Sequence, residues 1–442
     1  MKRVLIYSHD TFGLGNIRRM LEVARHLVAS SPAVSVLVLT GSPALHALRI
    51  PERIDTVKLP CLSRGVDGRY GARSLPLSLA ATVKLRANLV RSAIADFEPD
   101  LILVDKKPFG VEDELAGALA QLPQGAARPR LVLLLRDILD RADTTARIWR
   151  KNGYFDAIAT HYDQVLVVGC PSVYDLRHEI GFPPLAAAKV AYCGYIAREP
   201  GRLPRAEQRQ ALGLLGHEPL VLVTPGGGQD GQLLVLTALR ALAALPPQQV
   251  PRTHVVCGPE MDDAARAQAH ALARALPAVS VQDSSDDMMS LMAAADVVLA
   301  MGGYNTVCEL LTLRRRAVIV PRVQPGVEQL IRAERMAALG LLRMLHPEAL
   351  NPLRLLAALQ QELAALRQGT PQPRLQGLDG LAGVSAALLA GLDLEPVNSC
   401  APADAADTTQ PGDLPGAESG WPPLPMSLAS GCTAVATAEG HA

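Results

Sequence analysis

Apolar positions along this chain follow two alternating patterns. Short unbroken apolar runs are separated by segments in which apolar residues return every three or four positions. Residues 3–8 (RVLIYS) form the first run; Ile17, Met20, Leu21, Ala24, Leu27 and Val28 then follow at helical spacing. Residues 34–40, 101–105, 131–135, 164–168 and 189–193 are further runs. After a polar, proline-containing stretch at 195–219 the rhythm restarts with 220–224, 253–257, 279–282, 297–301 and 317–320. Runs without polar alternation, set between helical patterns, predict parallel strands covered on both faces. Two such series predict an α/β fold of two Rossmann-like domains facing a cleft. The expected divisions are an amino-terminal domain at 1–195, a linker at 196–218 and a carboxyl-terminal domain at 219–395. From 396 to 442 the chain is rich in Pro, Ala, Gly, Ser and Asp without periodicity, which predicts a disordered tail.

Composition narrows the function classes. The 442 residues are 49% hydrophobic, enough apolar material for two cores. Lys plus Arg and Asp plus Glu are 43 each, so no global charge draws the chain to nucleic acid. The seven cysteines are scattered and never form C-x-x-C, which argues against a disulfide framework or a cysteine zinc site. The ten histidines form no metal-spaced cluster. No run approaches transmembrane length, and Met1-Lys2-Arg3 leads directly into an apolar run too short for a secretion signal. The expectation is a soluble cytoplasmic protein.

In doubly wound sheets, ligands bind beyond the carboxyl ends of the strands, so the loops after the runs carry the candidate chemistry. After the first run come Ser8-His9-Asp10-Thr11-Phe12-Gly13-Leu14-Gly15-Asn16. Gly13 and Gly15 permit close backbone approach ahead of a helix, and His9 and Asp10 fall where such a domain holds its ligand. After residues 220–224 comes Thr224-Pro225-Gly226-Gly227-Gly228-Gln229-Asp230-Gly231, which opens a helix. Its bare amides suit phosphate oxygens, with Gly227 and Gly228 the best candidates. After 297–301 come Gly302, Gly303, Asn305 and Thr306, where Asn305 or Thr306 can cap a helix that carries Glu309 about one turn in. Glu309 is either a capping-region acid or an acceptor for paired ribose hydroxyls. After the next run, Glu328 and Gln329 suit the hydroxyls of a sugar or simply begin a solvated helix.

The order Asp286-Asp287-Met288, Ala294-Ala295-Asp296, Gly302-Gly303-Tyr304-Asn305-Thr306-Val307-Cys308-Glu309, Pro321 and Glu328-Gln329 resembles the donor-binding half of MurG-like glycosyltransferases, glycosyltransferase family 28, of GT-B fold. The resemblance covers about 220–345. The first domain matches only in its β/α rhythm and Gly-x-Gly loop, and the chain looks closest to a bacterial group of predicted MurG-like transferases. It implies a nucleotide-sugar donor, UDP-linked, held by Gly13, Gly15, Gly226, Gly227, Gly228, Gln229, Met288, Gly302, Gly303, Asn305, Thr306, Glu309, Glu328 and Gln329. Glu309 would hold the ribose and Glu328-Gln329 would read the sugar. The base-packing loop here is Ser284-Ser285, where the family often has apolar residues. Related enzymes often carry His where this chain has Asn16, and an amide cannot be a general base.

The implied reaction is inverting and metal-independent transfer of a hexose, of the kind used to build cell-envelope polysaccharide. No cofactor is expected, since the nucleotide-sugar is a substrate. Among His9, Asp10 and Asn16, His9 is the expected base, with Asp105 as another acid at a strand end. Arg64, Arg69, Arg73, Lys84, Arg86 and Arg91 face one acid, Asp67, and 75–95 form an amphipathic helix. That face is either solvated or a contact for a lipid-linked or polysaccharide acceptor at the inner face of the membrane. A nucleotide-sugar epimerase or hydrolase, and a non-catalytic nucleotide-sugar-binding protein, remain the alternatives. A NAD-dependent oxidoreductase lacks its glycine fingerprint with a following acid.

Overall fold

The computed structural model describes residues 1–9, 15–43, 45–64, 69–214, 216 and 218–396. Its strands are β1 (Lys2–Ser8), β2 (Val34–Thr40), β3 (Ile54–Lys58), β4 (Leu62–Arg64), β5 (Tyr70–Ala72), β6 (Leu101–Asp105), β7 (Arg130–Arg136), β8 (Gln164–Val168), β9 (Val190–Tyr192), β10 (Leu220–Thr224), β11 (Arg252–Val256), β12 (Val279–Gln282), β13 (Val297–Ala300), β14 (Arg316–Ile319) and β15 (Arg343–Met344). Seven form one sheet in the order β3-β2-β1-β6-β7-β8-β9, and six form a second in the order β12-β11-β10-β13-β14-β15. Both sheets pair in parallel throughout. The reason is visible in β1, where Val4 and Ile6 enter one core cluster while Leu5 and Tyr7 enter another. A strand apolar on both faces must be covered on both, and the helical crossovers cover it.

Each predicted run is a strand to within a residue at either end. The unpredicted strands are the edge strands β3 and β15 and the antiparallel hairpin of β4 and β5. The β3 sequence, Ile-Asp-Thr-Val-Lys, is half polar because only part of it is buried. The expected linker is not structureless. It contains the helix Arg205–Ala211, and Arg205 and Arg209 clasp Asp296 beside β13. Two acids of the family-like pattern therefore serve the fold: Asp296 also accepts from the Leu220 amide, and Asp287 caps the helix Met288–Ala294 while holding Arg202. The helix Gly380–Gly391, expected in the carboxyl-terminal domain, packs instead on Gly15–Ser30 beneath the first sheet. His26 and Ser385 hydrogen-bond there at 2.8 Å. Of the tail expected from 396, all but its first residue lies outside the described residues.

A buried ion pair joins the loops of the two sheets. Asp137 follows β7, and Arg332 lies on the helix Glu328–Ala338 of the second sheet. Their side chains meet twice, at 2.7 and 2.8 Å, and each is 1% exposed. The Tyr195 hydroxyl donates to Asp137 at 2.9 Å, and Arg332 also donates to the Gly302 carbonyl at 2.8 Å. Gly169, at the end of β8, has no side chain because a Cβ there would lie 2.7 Å from the Cβ of Asp137. Alongside, Asp140 accepts from the Val327 amide and Arg335 pairs with Glu179.

Among the described residues no helix is long and apolar enough to cross a membrane. The amphipathic segment forms the helix Leu79–Phe97, capped by Ser78. Arg86 does not belong to its basic face. It is fully buried, bonds Glu114 through two nitrogens at 2.6 Å, and thereby supports Tyr7 in the core. Asp67 lies outside the described residues.

Removing one partner from a dry ion pair strands the other charge. Asp137→Asn is expected to lower unfolding free energy by about 3–5 kcal/mol, seen as a reduced urea midpoint. An unchanged midpoint would show that the pair does not tie the sheets together.

Candidate functional site

The helix Gly15–Ser30, the end of β7 and the segments after β10, β11, β13 and β14 converge on a cavity of about 360 Å³. The strand order explains the convergence. In each sheet the crossovers reverse direction beside the first strand, which leaves a crevice at the carboxyl ends. The second sheet supplies most of the lining, and Gly15, Asn16, Arg18, Arg19 and Arg136 come from the first.

The glycine loop after β10 is built by backbone constraint. Gly226 and Gly228 have φ of 79° and 99°, and a Cβ on Gly228 would lie 2.7 Å from the Cys257 carbonyl oxygen. The loop is thus pressed onto the end of β11, and the Gly227 carbonyl accepts from the Glu260 amide. Gly226 donates to the Thr224 hydroxyl at 3.2 Å. Among the described residues the Gly227 and Gly228 amides donate to no protein group. The loop does not open its helix directly. A turn closed by Gly231 donating to the Gly228 carbonyl intervenes, and the helix begins at Gln232. Gln229 lines the cavity from that turn.

A second set of unclaimed amides lies beside it. The helix Tyr304–Leu313 is capped by Gly303, with no side chain satisfying its first turn. The expected caps, Asn305 and Thr306, are inside the helix instead. A cap must precede the helix to turn its oxygen onto the amides. Asn305 uses its oxygen to hold Arg198 at 2.5 Å. The Tyr304, Asn305 and Thr306 amides are therefore left for a ligand, at the positive end of the helix. The Thr306 hydroxyl lies 3.4 Å from where a Gly226 Cβ would sit, so the two amide sets are adjacent.

Glu309 follows on the same helix and lines the cavity. It makes no hydrogen bond to the protein among the described residues. Burial pushes its carboxyl up to about 7, against the opposing pull of Arg198 and Arg18. Gln329 also lines the cavity and accepts from the Arg322 amide. Glu328 stands behind it, buried and bound to Arg322 at 2.6 Å, so its carboxylate is held in an internal ion pair. Arg322 bridges on to Asp230 of the glycine loop. Gly302 is likewise behind the lining, its carbonyl taken by Arg332. Met288, with Ser285, Met292 and Met301, forms a less polar part of the wall.

On the other side Gly15 approaches Asn305, and Asn16 donates to the His9 carbonyl at 2.7 Å. The Asn16 amide is thus a loop tether. His9 itself is 1% exposed and does not line the cavity. Among the described residues neither of its ring nitrogens has a partner. Burial, reinforced by Lys106, Lys107, Arg86 and Arg136, holds its pKa well below the usual value, so the ring is neutral. Asp105, the other acid considered, is buried against Arg19 at 2.7 Å and accepts from the His9 amide. Asp10 and Gly13 lie outside the described residues. The sequence reading missed the arginines of the cleft: Arg18, Arg19, Arg136, Arg198 and Arg322. Arg136 at least sits at the end of an apolar strand, the position that flags ligand contact.

The raised Glu309 pKa has a sign that can be tested. A carboxyl that holds its proton more tightly folded than unfolded costs stability when ionised. The penalty is absent below the ordinary value of 4.5, grows as pH rises toward about 7, and is constant above that. Glu309→Gln is therefore expected to exceed the native protein in stability at about pH 8 by on the order of 2–3 kcal/mol. By about pH 4.5 the gain should vanish; urea unfolding at the two pH values decides it.

Residues 220–374 match the model of the glycosyltransferase family 28 C-terminal domain. The UDP-N-acetylglucosamine–N-acetylmuramyl-(pentapeptide) pyrophosphoryl-undecaprenol N-acetylglucosamine transferase of Methylobacterium sp. (strain 4-46) is 34% identical over 160 residues, 36% of this chain and 42% of that one. The chain spans only 42% to 59% of the length of the first curated relatives it matches. Among solved structures, MurG of Acinetobacter baumannii superposes with a TM-score of 0.52 at 15% identity, over 90% of this chain and 96% of that one. The calicheamicin glycosyltransferase CalG4 gives 0.57 at 18% identity, over 89% and 98%. At such identities these likenesses establish the fold, two parallel α/β sheets of the GT-B kind. Residues 220–374 thus match the glycosyltransferase family 28 C-terminal domain, in a chain whose fold is that of GT-B glycosyltransferases.

Proposed function

We propose that the protein is an inverting glycosyltransferase that moves a sugar from a nucleoside-diphosphate donor, UDP-linked, to an acceptor hydroxyl. The observation that carries this reading is the placement of the unpartnered Glu309 carboxylate in one cavity with two sets of unclaimed amides. A diphosphate needs hydrogen-bond donors, and Gly227, Gly228 and the start of Tyr304–Leu313 provide them. A ribose diol needs a charged acceptor close by, and Glu309 is one helical turn further on. Met288 with Met292 offers the base an apolar surface, and Gln329 offers the sugar an amide. Glu328 acts through Arg322 in this reading, fixing the loop that carries Gln329. Gly226, Gln229, Gly303, Asn305 and Thr306 shape the same wall, Gly302 supports it from behind and Gly15 faces it; Gly13 is assigned by sequence position only.

In the reaction the acceptor oxygen forms a bond to the anomeric carbon as the bond from that carbon to the β-phosphate oxygen breaks. The electron pair leaves with the diphosphate, and the acceptor proton passes to a base. The oriented amides stabilise the departing charge without requiring a metal. His9 is proposed as the proton acceptor from its place after β1, with a neutral ring that is buried and does not itself line the cavity. Asp10 adjoins it in sequence, and Asn16 ties down its carbonyl.

The acceptor is proposed to be lipid-linked. The Methylobacterium relative is named for a pyrophosphoryl-undecaprenol acceptor, and here Leu75, Leu77, Leu85 and Leu89 are each 38–44% exposed. Arg73, Lys84 and Arg91 are exposed among them. Apolar side chains ringed by cations suit an anionic membrane surface, so peripheral contact at the cytoplasmic face is proposed.

A thermal-shift panel of nucleoside diphosphates and their sugars tests the donor reading. UDP and at least one UDP-sugar should raise the unfolding temperature more than uridine does. Glu309→Gln should weaken UDP by ~10- to 100-fold, the worth of one or two hydrogen bonds to a charge. If no nucleoside diphosphate stabilises the protein, the transferase reading is lost. The membrane reading is checked by flotation with vesicles of mixed phosphatidylglycerol and phosphatidylcholine. Native protein should float, and Leu85→Glu/Leu89→Glu should not; sedimentation of both rejects membrane contact.

A further inference from the structure

The first-sheet wall of the cavity carries a cation that no acid among the described residues pairs with directly. Arg136 ends β7 and lines the cavity. Among the described residues its guanidinium makes no hydrogen bond or ion pair, and its Nε is sealed from solvent without an acceptor. Two of its charged neighbours, Arg19 and Arg332, are cations whose repulsion adds to burial, while Glu328 and Asp137 offset it in part. Both acids are already engaged, Glu328 with Arg322 and Asp137 with Arg332. An unpaired charge partly withdrawn from water is costly, and folds retain one where a ligand completes it.

The opposite wall has the complementary shortage. Its phosphate seat consists of backbone amides, which are neutral dipoles. Its own arginine at the cavity, Arg322, is held by Asp230 and Glu328. A bound diphosphate would find donors there and no free cation. Arg136 stands within electrostatic reach of both Glu328 and His9. It shares the cavity lining with Gln329 of the loop proposed to read the sugar and with the glycine loop.

We propose that Arg136 reaches across the cavity to the diphosphate oxygens of the donor and is the catalytic cation that stabilises the departing nucleoside diphosphate. The proposal rests on the transferase reading above. As the carbon–oxygen bond breaks, its electron pair comes to rest on the β-phosphate oxygen. The guanidinium meets that growing charge with a charge-assisted hydrogen bond and itself stays protonated throughout. The acceptor proton goes elsewhere, to the base. Because the amides belong to one sheet and the cation to the other, a complete phosphate site exists only while the two are held together. The other source of negative charge is an anionic acceptor, and the test separates the two.

Arg136→Gln and Arg136→Lys are compared with the native protein by calorimetry, using inorganic pyrophosphate, UDP and uridine. For Arg136→Gln, pyrophosphate and UDP are expected to bind at least ~10-fold more weakly while uridine is unchanged. Arg136→Lys should recover part of the loss as a point charge. With a donor in hand, kcat should fall by about 100-fold in Arg136→Gln, as on removing one donor from a developing oxyanion. Without ligand, Arg136→Gln should unfold at the native temperature or above it, since it removes an unpaired, partly buried charge. A lower unfolding temperature would make the arginine structural and overturn the proposal. Equal pyrophosphate affinity in the two proteins also overturns it. If that equality comes with a raised KM for the acceptor, the cation belongs to an anionic acceptor. Pyrophosphate carries no base, so an Arg136-dependent pyrophosphate site that takes no nucleotide would keep the phosphate contact and reject the nucleotide reading instead.

Discussion

The architecture depends on one dry contact, the double hydrogen-bonded pair of Asp137 and Arg332. Each partner lies at a loop that also serves the cavity. Asp137 follows Arg136, which lines it, and Arg332 grips the carbonyl of Gly302, one residue before the cap of the helix that carries Glu309. The position of the helix start relative to the first sheet is therefore set by a charge pair. Tyr195 and Tyr304 stack nearby with ring centroids 5.9 Å apart, and the Arg332 guanidinium lies over the Tyr304 ring. Such an arrangement trades stability for definition: the charges give up water, and in return the geometry is narrow.

The cavity follows an electrostatic logic that runs opposite to that of the core. In the core every cation has an acid: Arg86 has Glu114, Arg19 has Asp105 and Arg332 has Asp137. At the cavity the pairing is left open on both sides. Among the described residues Arg136 is paired with no acid and Glu309 receives no hydrogen bond. The two unmet groups are of opposite charge and do not answer each other. A diphosphate linked to a ribose offers anions at one end and hydroxyl donors at the other, the complement of that pattern. Groups whose proton affinity is strongly perturbed within a cleft are the expected mark of a ligand site.

Some sequence signals proved to serve the fold. Asp287 and Asp296 stand in the family-like pattern, yet one caps a helix and the other anchors the connecting segment through two arginines. Glu328 looked like a hydroxyl reader and is spoken for by Arg322. Asn305 and Thr306 looked like caps and lie one step inside the helix. The partner lay 6 positions away for Glu328, 85 for Asp287, 87 and 91 for Asp296 and 107 for Asn305.

The strands were legible because burial on both faces forces unbroken apolar runs, a property each segment carries in its own composition. β3 and β15 escaped notice because β3 is only partly buried and half polar and β15 is two residues long. The glycine loop, the helix of Glu309 and the strand-end positions were likewise written locally. Arg136, the crossing of Gly380–Gly391 back to the first sheet and the burial of His9 were not. Each depends on which distant side chain occupies the facing surface, and hydrophobic periodicity is silent on that. The sequence by itself determined the alternation of strands and helices and the loops at the strand ends. Tertiary structure alone decided which charges are paired and which are left open, because pairing requires two residues to meet in space, and spacing along the chain does not say where they meet.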